Sequence, residues 1–367
     1  MEGLITILRE VHDPRDMNAR HDCAAMLFAA LLATLSGAKS CVEIADYCEI
    51  NLAHLTEFVD FPHGAPSHDS FSRLFRLLDP GELEQALAAF ARALREGLGL
   101  KPIGGVVAID GKRLRRGYER GRAFMAPLMI SVWDAETRLS LATRAAKGGN
   151  EVEATLEALK SLDLKRCVVT ADALHCHPAM AKGVLARGGA YALKLKGNNG
   201  PLYALAKAAF AKADAAGGAP YVETNEFAHD RHERRRMSVT PAPRVGANLP
   251  GLTMFGRLQS ERQATGGKPT TYEYYVAFSK KYSPQKALQV VRSHWGVENN
   301  LHWSLDVVFH EDDARTRKNN APFNLSILRR MALDIVKSHP DAWSPSRKIR
   351  RASYDKEYLF SFFAYMR

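Results

Sequence analysis

Cysteine is scarce in this sequence, and no two cysteines have the spacing of a metal-binding or redox motif. The 367 residues include five scattered cysteines and no CxxC pair. This excludes a disulfide framework and a zinc ribbon, and it fits a reducing cytoplasm best. The sequence also lacks the GxxxxGK[ST] phosphate loop, the GxGxxG dinucleotide fingerprint and the GxSxG nucleophile elbow. It therefore gives no signal for nucleotide-cofactor or serine-hydrolase chemistry.

Long apolar runs are missing as well. The longest, near 24–35, has about 12 residues, whereas a membrane-spanning helix needs roughly 20. The first residues carry mixed charges in place of the basic and apolar segments of a signal peptide. We therefore expect a soluble, cytoplasmic protein that has no membrane partner.

Charge is distributed unevenly along the chain. The whole chain is formally +11, but residues 1–100 hold 8 Lys/Arg and 15 Asp/Glu, a balance of −7, so the remainder carries +18. Two clusters concentrate the basic residues, with six at 111–122 and four at 231–236. Because phosphate backbones bind basic surfaces with release of counterions, this distribution favours a nucleic acid as partner. The alternative is that each cluster is a solvated loop.

The spacing of apolar residues divides an α/β chain into several parts. Helical spacing dominates 1–100, where Ser67 is a predicted helix N-cap. Within 101–345, three strands are followed by helix, strand, helix and strand, an order that predicts a mixed sheet with helices on its faces. Short alternating runs predict a β-rich insertion at 201–283. The segment 346–367 is expected to be a basic C-terminal tail.

Two aspartates follow apolar strands of the predicted sheet. Asp110 comes directly after the strand at 106–109, and Asp172 comes directly after the strand at 167–171. Functional groups are commonly presented at strand ends on such a rigid platform. The alternative for either residue alone is that it begins a turn or caps a helix. Finding both on separate strands of one sheet favours a functional role.

A third carboxylate, Glu298, is placed by helical geometry. In a continuous helix over 284–305, Glu298 falls on the apolar arc that faces the core. A charged carboxylate there is costly unless it is paired or bound to a cation. Three carboxylates meeting at a sheet edge beside basic loops suit divalent cations, and magnesium prefers oxygen ligands. The alternative is a buried pair of Glu298 with a neighbouring His294, His302 or Arg292.

Four stretches carry a resemblance to a known family. They are AIDGKRLRRG at 108–117, TADALHCH at 170–177, LKLKGNNGPL at 193–202 and the block that begins HWGVENNLHWSL at 294. Together with the helical region at 13–80, they make the chain similar to the DDE transposases of the ISAs1 insertion-sequence family, the group of H-repeat-associated proteins. The resemblance implies an RNase H-like mixed-sheet core, an N-terminal helical domain and a β-rich insertion.

The resemblance also implies a chemistry for the three carboxylates. Asp110, Asp172 and Glu298 would bind two Mg²⁺ ions, with Mn²⁺ as a substitute ion. A homo-oligomer on DNA would cleave the terminal repeats of the element and join them to target DNA. The wider IS4-like group has Tyr, Arg and Lys around its glutamate, where this chain has Val, His and Leu. The hairpin chemistry of some relatives is therefore not carried over.

Basic residues near the three carboxylates and in the insertion are the predicted DNA contacts. Such side chains hold phosphates and position the scissile bond without reading sequence. The residues are Lys112, Arg113, Arg115, Arg116, Lys194, Lys196, Arg231, Arg234, Arg236, Arg292 and His294.

Two other functions stay open at this point. A DNA-binding protein derived from a transposon would bind DNA in a salt-dependent way and would need no metal. A nuclease on the same core would cut DNA without strand transfer. For the acidic N-terminal part, recognition of terminal repeats and self-association are both open, because its charge of −7 opposes DNA binding.

Overall fold

Helices form the first part of the chain, as the apolar spacing predicts. In the computed structural model, which describes residues 1–15, 18–228, 230–243 and 248–364, they are α1 (Glu2–Arg9), α2 (Cys23–Leu35), α3 (Cys41–Ile50), α4 (Leu52–Leu55), α5 (His68–Leu77) and α6 (Pro80–Gly97). The predicted cap at Ser67 is confirmed, because its hydroxyl accepts the Ser70 N–H at 3.3 Å. All thirteen residues of α2 are buried, as expected of a helix that is apolar on every side.

The strands that follow belong to one mixed sheet. They are β1 (Gly105–Arg113), β2 (Leu128–Asp134), β3 (Ser140–Ala145), β4 (Cys167–Ala171), β5 (Ala190–Leu195), β6 (Tyr221–Ala228), β7 (Arg231–Pro241), β8 (Met254–Ala264) and β9 (Thr270–Phe278). Their order is β3-β2-β1-β4-β5-β9-β8-β7-β6. β1, β4 and β5 run parallel, and β2 and β3 are antiparallel to their neighbours. The predicted mixed sheet is therefore present.

The remaining helices cover the sheet and close the chain. They are α7 (Glu151–Leu159), α8 (Pro178–Ala186), α9 (Gly200–Ala215), α10 (Pro284–Gly296), α11 (Trp303–Phe309), α12 (Ala321–Ser338), α13 (Pro345–Tyr354) and α14 (Lys356–Ser361). A π-helical turn, Val297–His302, separates α10 from α11. In the part of the chain that is described, no helix combines the length and the apolar character that a bilayer span requires.

The expected β-rich insertion differs from the prediction in two ways. Its first fifteen residues belong to α9, because this alanine-rich stretch has strong helix formers and a proline in its first turn. Its four strands also do not form a separate sheet. β9 pairs antiparallel with β5, with Ala192 opposite Phe278, so the strands of the insertion continue the core sheet.

The expected basic tail is wrong. Most of the segment 346–367 belongs to α13 and α14, which pack against the rest of the helical core, whereas 365–367 lie outside the described residues. Lys348 is buried and donates hydrogen bonds to the carbonyls of Val336 and His339 at 3.1 and 2.8 Å. The lysine ammonium thus satisfies carbonyl groups at the C-terminal end of α12. The buried apolar residues Ile349 and Phe362 hold the segment against the core.

The N-terminal helices share their core with the sheet domain. One cluster of buried apolar residues runs from Leu4 to Phe363. Polar contacts reinforce this attachment, because Arg95 of α6 lies 2.8 Å from Asp134 of β2. Glu84 of α6 likewise accepts the Ala145 N–H of β3 at 2.6 Å. The helical part is therefore packed onto the edge of the sheet formed by β2 and β3.

The contact of Glu84 with β3 gives a pH-dependent stability. Burial raises the pKa of Glu84 from its ordinary 4.5 to about 7. The folded chain then binds more protons than the unfolded chain between these values, so its stability falls as the pH rises through this window. Compared with Glu84→Gln, we expect the native chain to lose about 3 kcal/mol more unfolding free energy between pH 4.5 and 7.

Urea unfolding at a series of pH values measures this difference. Glutamine keeps the oxygen that accepts the Ala145 N–H and does not titrate. Glu96→Gln, an exposed change on the same helix, is the control and should leave the pH profile of the native chain unaltered. Parallel profiles for the native chain and Glu84→Gln would contradict the expectation.

Candidate active site

Asp110 and Asp172 lie side by side on the sheet. Ile109 of β1 is paired with Ala171 of β4 in a parallel ladder; Asp110 is the next residue of β1, and Asp172 directly follows the end of β4. Residues at the same level of neighbouring parallel strands point to the same face, about 4.8 Å apart along the hydrogen-bonding direction. The structure therefore brings these two sequence-predicted carboxylates together.

Glu298 is carried to this site by α10, which packs against β1 and β4. The α-helical phase ends at Gly296, and Glu298 lies in the π-helical turn that follows. Its side chain is exposed, so the expectation that Glu298 faces the core is wrong. Seven residues are close to two helical turns, so Glu298 lies on the side of the helix that carries Val291, and both residues line one cleft.

Glu298 and Asp172 line the same cleft. Its walls also include Thr170, Lys194, Tyr274, His294 and Trp295. Although the Glu298 side chain is exposed as a whole, the cleft walls partly desolvate its carboxylate, and this, reinforced by the negative charge of Asp110, raises the pKa of Glu298 above the ordinary glutamate value. The charges of His302 and Lys194 oppose this shift. Glu298 therefore lies close enough to both predicted aspartates to be affected by their negative charges.

A close approach between Gly296 and Trp133 fixes the end of α10. A Cβ atom at position 296 would lie 2.6 and 2.8 Å from ring atoms of Trp133, which is buried in β2. Gly296→Ala is therefore expected to lower the unfolding free energy by about 1–3 kcal/mol, although alanine normally favours a helix.

The urea midpoint of the full chain tests this expectation. Gly3→Ala is the matched control, because a Cβ atom there meets nothing within 4 Å and the residue also lies in a helix. An unchanged midpoint for Gly296→Ala would show that the tryptophan ring has room to move.

Two lysines neutralise Asp172. Lys194 and Lys196 lie 3.4 and 3.3 Å from its carboxylate. Although partial burial raises the pKa of Asp172, the charges of both lysines and the Ala173 N–H outweigh burial and lower it. The Lys194 ammonium also lies 4.7 Å from the centre of the Tyr274 ring on β9. The insertion thus helps to position a charge at the site.

The residues flanking Glu298 have partners other than Glu298. His302 lies 3.3 Å from Asp110, and His294 contacts the Thr170 hydroxyl at 3.1 Å. Burial lowers the pKa of His294. Arg292 donates to Glu226 of β6 at 3.0 Å. The alternative of a buried pair between Glu298 and one of these groups is therefore wrong.

Sequence reasoning missed a second acid–histidine pair beside the site. Glu151, at the start of α7, lies 3.3 Å from the imidazole of His175, which is 1% exposed. A Cβ atom at position 111 would lie 2.5 Å from the Glu151 carboxylate, so this pair packs directly against the residue that follows Asp110. The only signal in the sequence was the position of His175 three residues after Asp172.

The predicted DNA contacts fall into two groups. Lys112 is 7% exposed and lies 2.7 and 2.8 Å from Asp306 and Asp312. Its charge is therefore paired within the protein, and the prediction that Lys112 contacts a DNA phosphate does not fit the structure. The others have exposed or partly exposed side chains. Several of these contact carboxylates or rings: Arg115–Asp312 at 3.1 Å, Arg116–Asp313 at 3.3 Å, Arg234–Glu223 at 2.9 Å and Arg236 over the Tyr221 ring at 3.6 Å. Arg113 donates to the Ala126 carbonyl at 3.3 Å, and Arg231 is exposed at the start of β7.

The donor atoms of the site suit a magnesium ion. Asp110, Asp172 and Glu298 all offer carboxylate oxygens, the ligands that Mg²⁺ prefers. Within the described residues, no three His, Cys, Asp or Glu side chains are already grouped closely enough to hold a metal ion. Lysine ammonium groups stand at Asp172 instead. The donor chemistry of the three side chains therefore fits the ion, although the structure does not gather them into one group.

Comparison with known proteins defines the class of this chain. Residues 101–335 match the family model described as Transposase DDE domain, and residues 5–91 match the model described as DDE_Tnp_1-associated. The chain therefore belongs to the DDE transposase family. The RNase H-like fold expected for this class is confirmed, with β1–β5 as its core sheet.

Three relatives match almost the whole chain. "Putative protein YbfL" of Escherichia coli K12 is 30% identical over 365 residues, which cover 94% of this chain and 93% of the relative. "H repeat-associated putative transposase YhhI" of the same strain is 29% identical, with the same two shares. "Putative transposase YncI" of Escherichia coli O157:H7 is 27% identical over 93% of this chain and 89% of the relative. The expected group of H-repeat-associated transposases is thus found among its relatives.

Proposed function

We propose that this chain is a transposase that uses magnesium to cleave DNA at the ends of an insertion sequence and to join those ends to target DNA. The observation that carries the proposal is that Asp110 and Asp172 directly follow the paired residues Ile109 and Ala171, while Asp172 and Glu298 line one cleft. The family match and the names of two relatives agree with it. A homo-oligomer on the DNA is part of the proposal, because two element ends have to be processed together.

Three acidic side chains give this cleft its role. Asp110, Asp172 and Glu298 would hold Mg²⁺, and bound Mg²⁺, or Mn²⁺ in its place, would stabilise charge on the attacking and leaving oxygens of a phosphodiester. His302 keeps Asp110 in position from one side. Lys194 and Lys196, released from Asp172, would then face the phosphate that enters the cleft.

Residues of the insertion would hold DNA beyond the scissile bond. Arg231, Arg234 and Arg236 lie on β7, the strand next to the outer edge of the sheet. Arg113, Arg115 and Arg116 extend from the end of β1, the strand that carries Asp110. Basic groups on both sides of the carboxylates would bring a polyanion across the cleft.

A cleavage and joining assay tests the proposal. The full chain is incubated with labelled DNA that carries an element end, together with a target plasmid, with and without Mg²⁺. Nicked ends and joined products that depend on the ion are expected. Nicking without joining would show that the chain acts as a nuclease and not as a transposase. DNA binding with neither product would overturn the enzymatic function and favour a DNA-binding protein.

A further inference from the structure

Two exposed apolar side chains stand at the tip of the loop that joins β1 to β2. Phe124 is 81% exposed and Met125 is 58% exposed. Both lie in a short 3₁₀ turn, Ala123–Met125. In the described part of the chain, no other two large apolar residues that are adjacent in sequence are both exposed. The pair therefore differs from the single apolar residues that are scattered over any protein surface.

The base of this loop is held by the rest of the protein. Leu114 is buried, and its N–H donates to the Pro127 carbonyl at 2.8 Å, which closes the base. Arg317 donates to the Arg116 carbonyl at 3.1 Å, and its guanidinium lies 5.5 Å from the centre of the Tyr118 ring. Phe124 and Met125 are thus carried by a supported turn.

Arginines surround the apolar pair. Segment 113–125 holds five arginines and one acidic residue, Glu119. All five arginines are exposed: Arg113, Arg115, Arg116, Arg120 and Arg122. Three of them, Arg115, Arg116 and Arg122, lie 3.1, 3.3 and 3.6 Å from carboxylates. Exposed ion pairs of this kind are weak, so phosphates can compete for these guanidinium groups.

The charge of the loop favours a polyanion over a second copy of the chain as the partner of the apolar pair. A symmetric contact between two copies would bring both sets of arginines together, and like charges repel. A nucleic-acid backbone would instead neutralise them. The loop also starts close to the candidate site, because Arg113 follows Asp110 on β1 by three residues, or about 10 Å of strand.

We infer that Phe124 and Met125 insert between base pairs of DNA beside the cleavage site and unstack them. The inference rests on the proposed function, because that function makes DNA the ligand at this end of β1. Apolar side chains, Phe and Met among them, act as such wedges between base steps. The surrounding arginines would hold the phosphates on either side of the opened step.

A mismatched duplex tests the inference, because a base that is already unpaired costs less to unstack. Fluorescence anisotropy is measured on the full chain in EDTA, which prevents cleavage, with two labelled duplexes that differ only in one central T·T mismatch. The native chain should bind the mismatched duplex on the order of 10-fold more tightly. Phe124→Ser together with Met125→Ser should remove this preference. The slope of log affinity against log salt should stay native, because no charge is lost.

Two further variants serve as controls for this experiment. Val42→Ser together with Ile50→Ser replaces two exposed apolar residues on α3 and should leave the mismatch preference unchanged. Arg120→Ala should reduce the salt slope by about 1 and keep the preference. A preference that is lost in Arg120→Ala but kept in the serine variant of the loop would be electrostatic and would overturn the inference.

Folding and self-association are measured on the same proteins. Both loop side chains are exposed, so the urea midpoint of the serine variant should be native. Sedimentation velocity without DNA tests the other partner. If the serine variant breaks up an oligomer of the native chain and still prefers the mismatched duplex, the tip is a protein contact and the inference is overturned.

The fluorescence of 2-aminopurine in a fully paired duplex reports unstacking directly. It should rise when the native chain binds and stay low with the serine variant of the loop. Equal emission with both proteins would refute the wedge. The proposed function fails by a different readout, because a chain that unstacks DNA through Phe124 and Met125 but gives no cleaved or joined product leaves the inference intact.

Discussion

Asparagine in place of Asp110 is expected to reduce the rate of DNA cleavage on the order of 10³-fold, with DNA affinity close to that of the native chain. The amide has nearly the same size, but it removes a negative charge and an anionic oxygen beside Asp172. His302, 3.3 Å from the Asp110 carboxylate, retains an oxygen to contact. The amount of nicked product from labelled element-end DNA in Mg²⁺ measures the effect, and anisotropy measures binding.

The same isosteric change elsewhere controls for this experiment. Asp46→Asn removes one negative charge from an exposed position on α3 and should leave cleavage unchanged. A native cleavage rate for Asp110→Asn would show that this carboxylate does not take part in the reaction. Equal loss of binding and cleavage would show that the change disturbs the DNA surface and not the chemistry.

Methionine in place of Arg330 is expected to lower the unfolding free energy by about 3–5 kcal/mol, the largest effect on stability that we predict. Arg330 on α12 has no exposed surface and lies 3.2 Å from Glu311, which is equally buried. It also donates to the Ser326 carbonyl at 3.0 Å and to the Ser131 hydroxyl of β2 at 3.3 Å. Its loss leaves a buried carboxylate without its partner.

Urea unfolding separates the charge effect from a packing effect. The double variant Arg330→Met and Glu311→Gln removes both charges and should recover part of the lost stability, because no unpaired ion is left buried. Arg351→Met breaks an exposed pair with Asp355 and should cost less than about 1 kcal/mol. A midpoint for Arg330→Met close to that of Arg351→Met would mean that water reaches Glu311 and replaces the arginine.

The two aspartates of the site could be located from sequence for a simple reason. Each follows a short apolar strand, and the helix α7, which precedes the second of these strands after β2 and β3, allows the chain to cross over and run parallel to β1. Parallel neighbours then bring the residues after Ile109 and Ala171 to the same level. Local pattern and chain order are sufficient for this step.

The placement of Glu298 shows where a prediction from the helical spacing of apolar residues fails. A spacing of 3.6 residues holds only while the helix stays α-helical, and the turn at Val297–His302 changes the phase. The residues involved have no sequence signature of a π turn. The arc itself is present, because its apolar residues Leu288, Val291 and Leu305 are buried. Glu298 is exposed beside this arc, in the cleft, and does not lie in the core.

The ion-pair partners of charged residues were the feature that was hardest to predict from the sequence. Lys112 stands two residues after Asp110, which made a phosphate contact reasonable, yet its partners Asp306 and Asp312 lie about 200 residues away in sequence. Only the fold brings such groups together. The C-terminal segment shows a different error, because its many basic residues obscured an amphipathic helix with Ile349 and Ala352 on its buried side.

The pairing of β5 with β9 has a mechanical consequence. A single backbone ladder joins the strand that carries Lys194 to the strands that carry Arg231, Arg234 and Arg236. A ligand held on β7 would therefore be linked to Lys194 through paired backbone, without a loop in between. If the ligand is the DNA of the proposed function, a change in its direction between these two places would have to come from bending of the duplex or of the sheet.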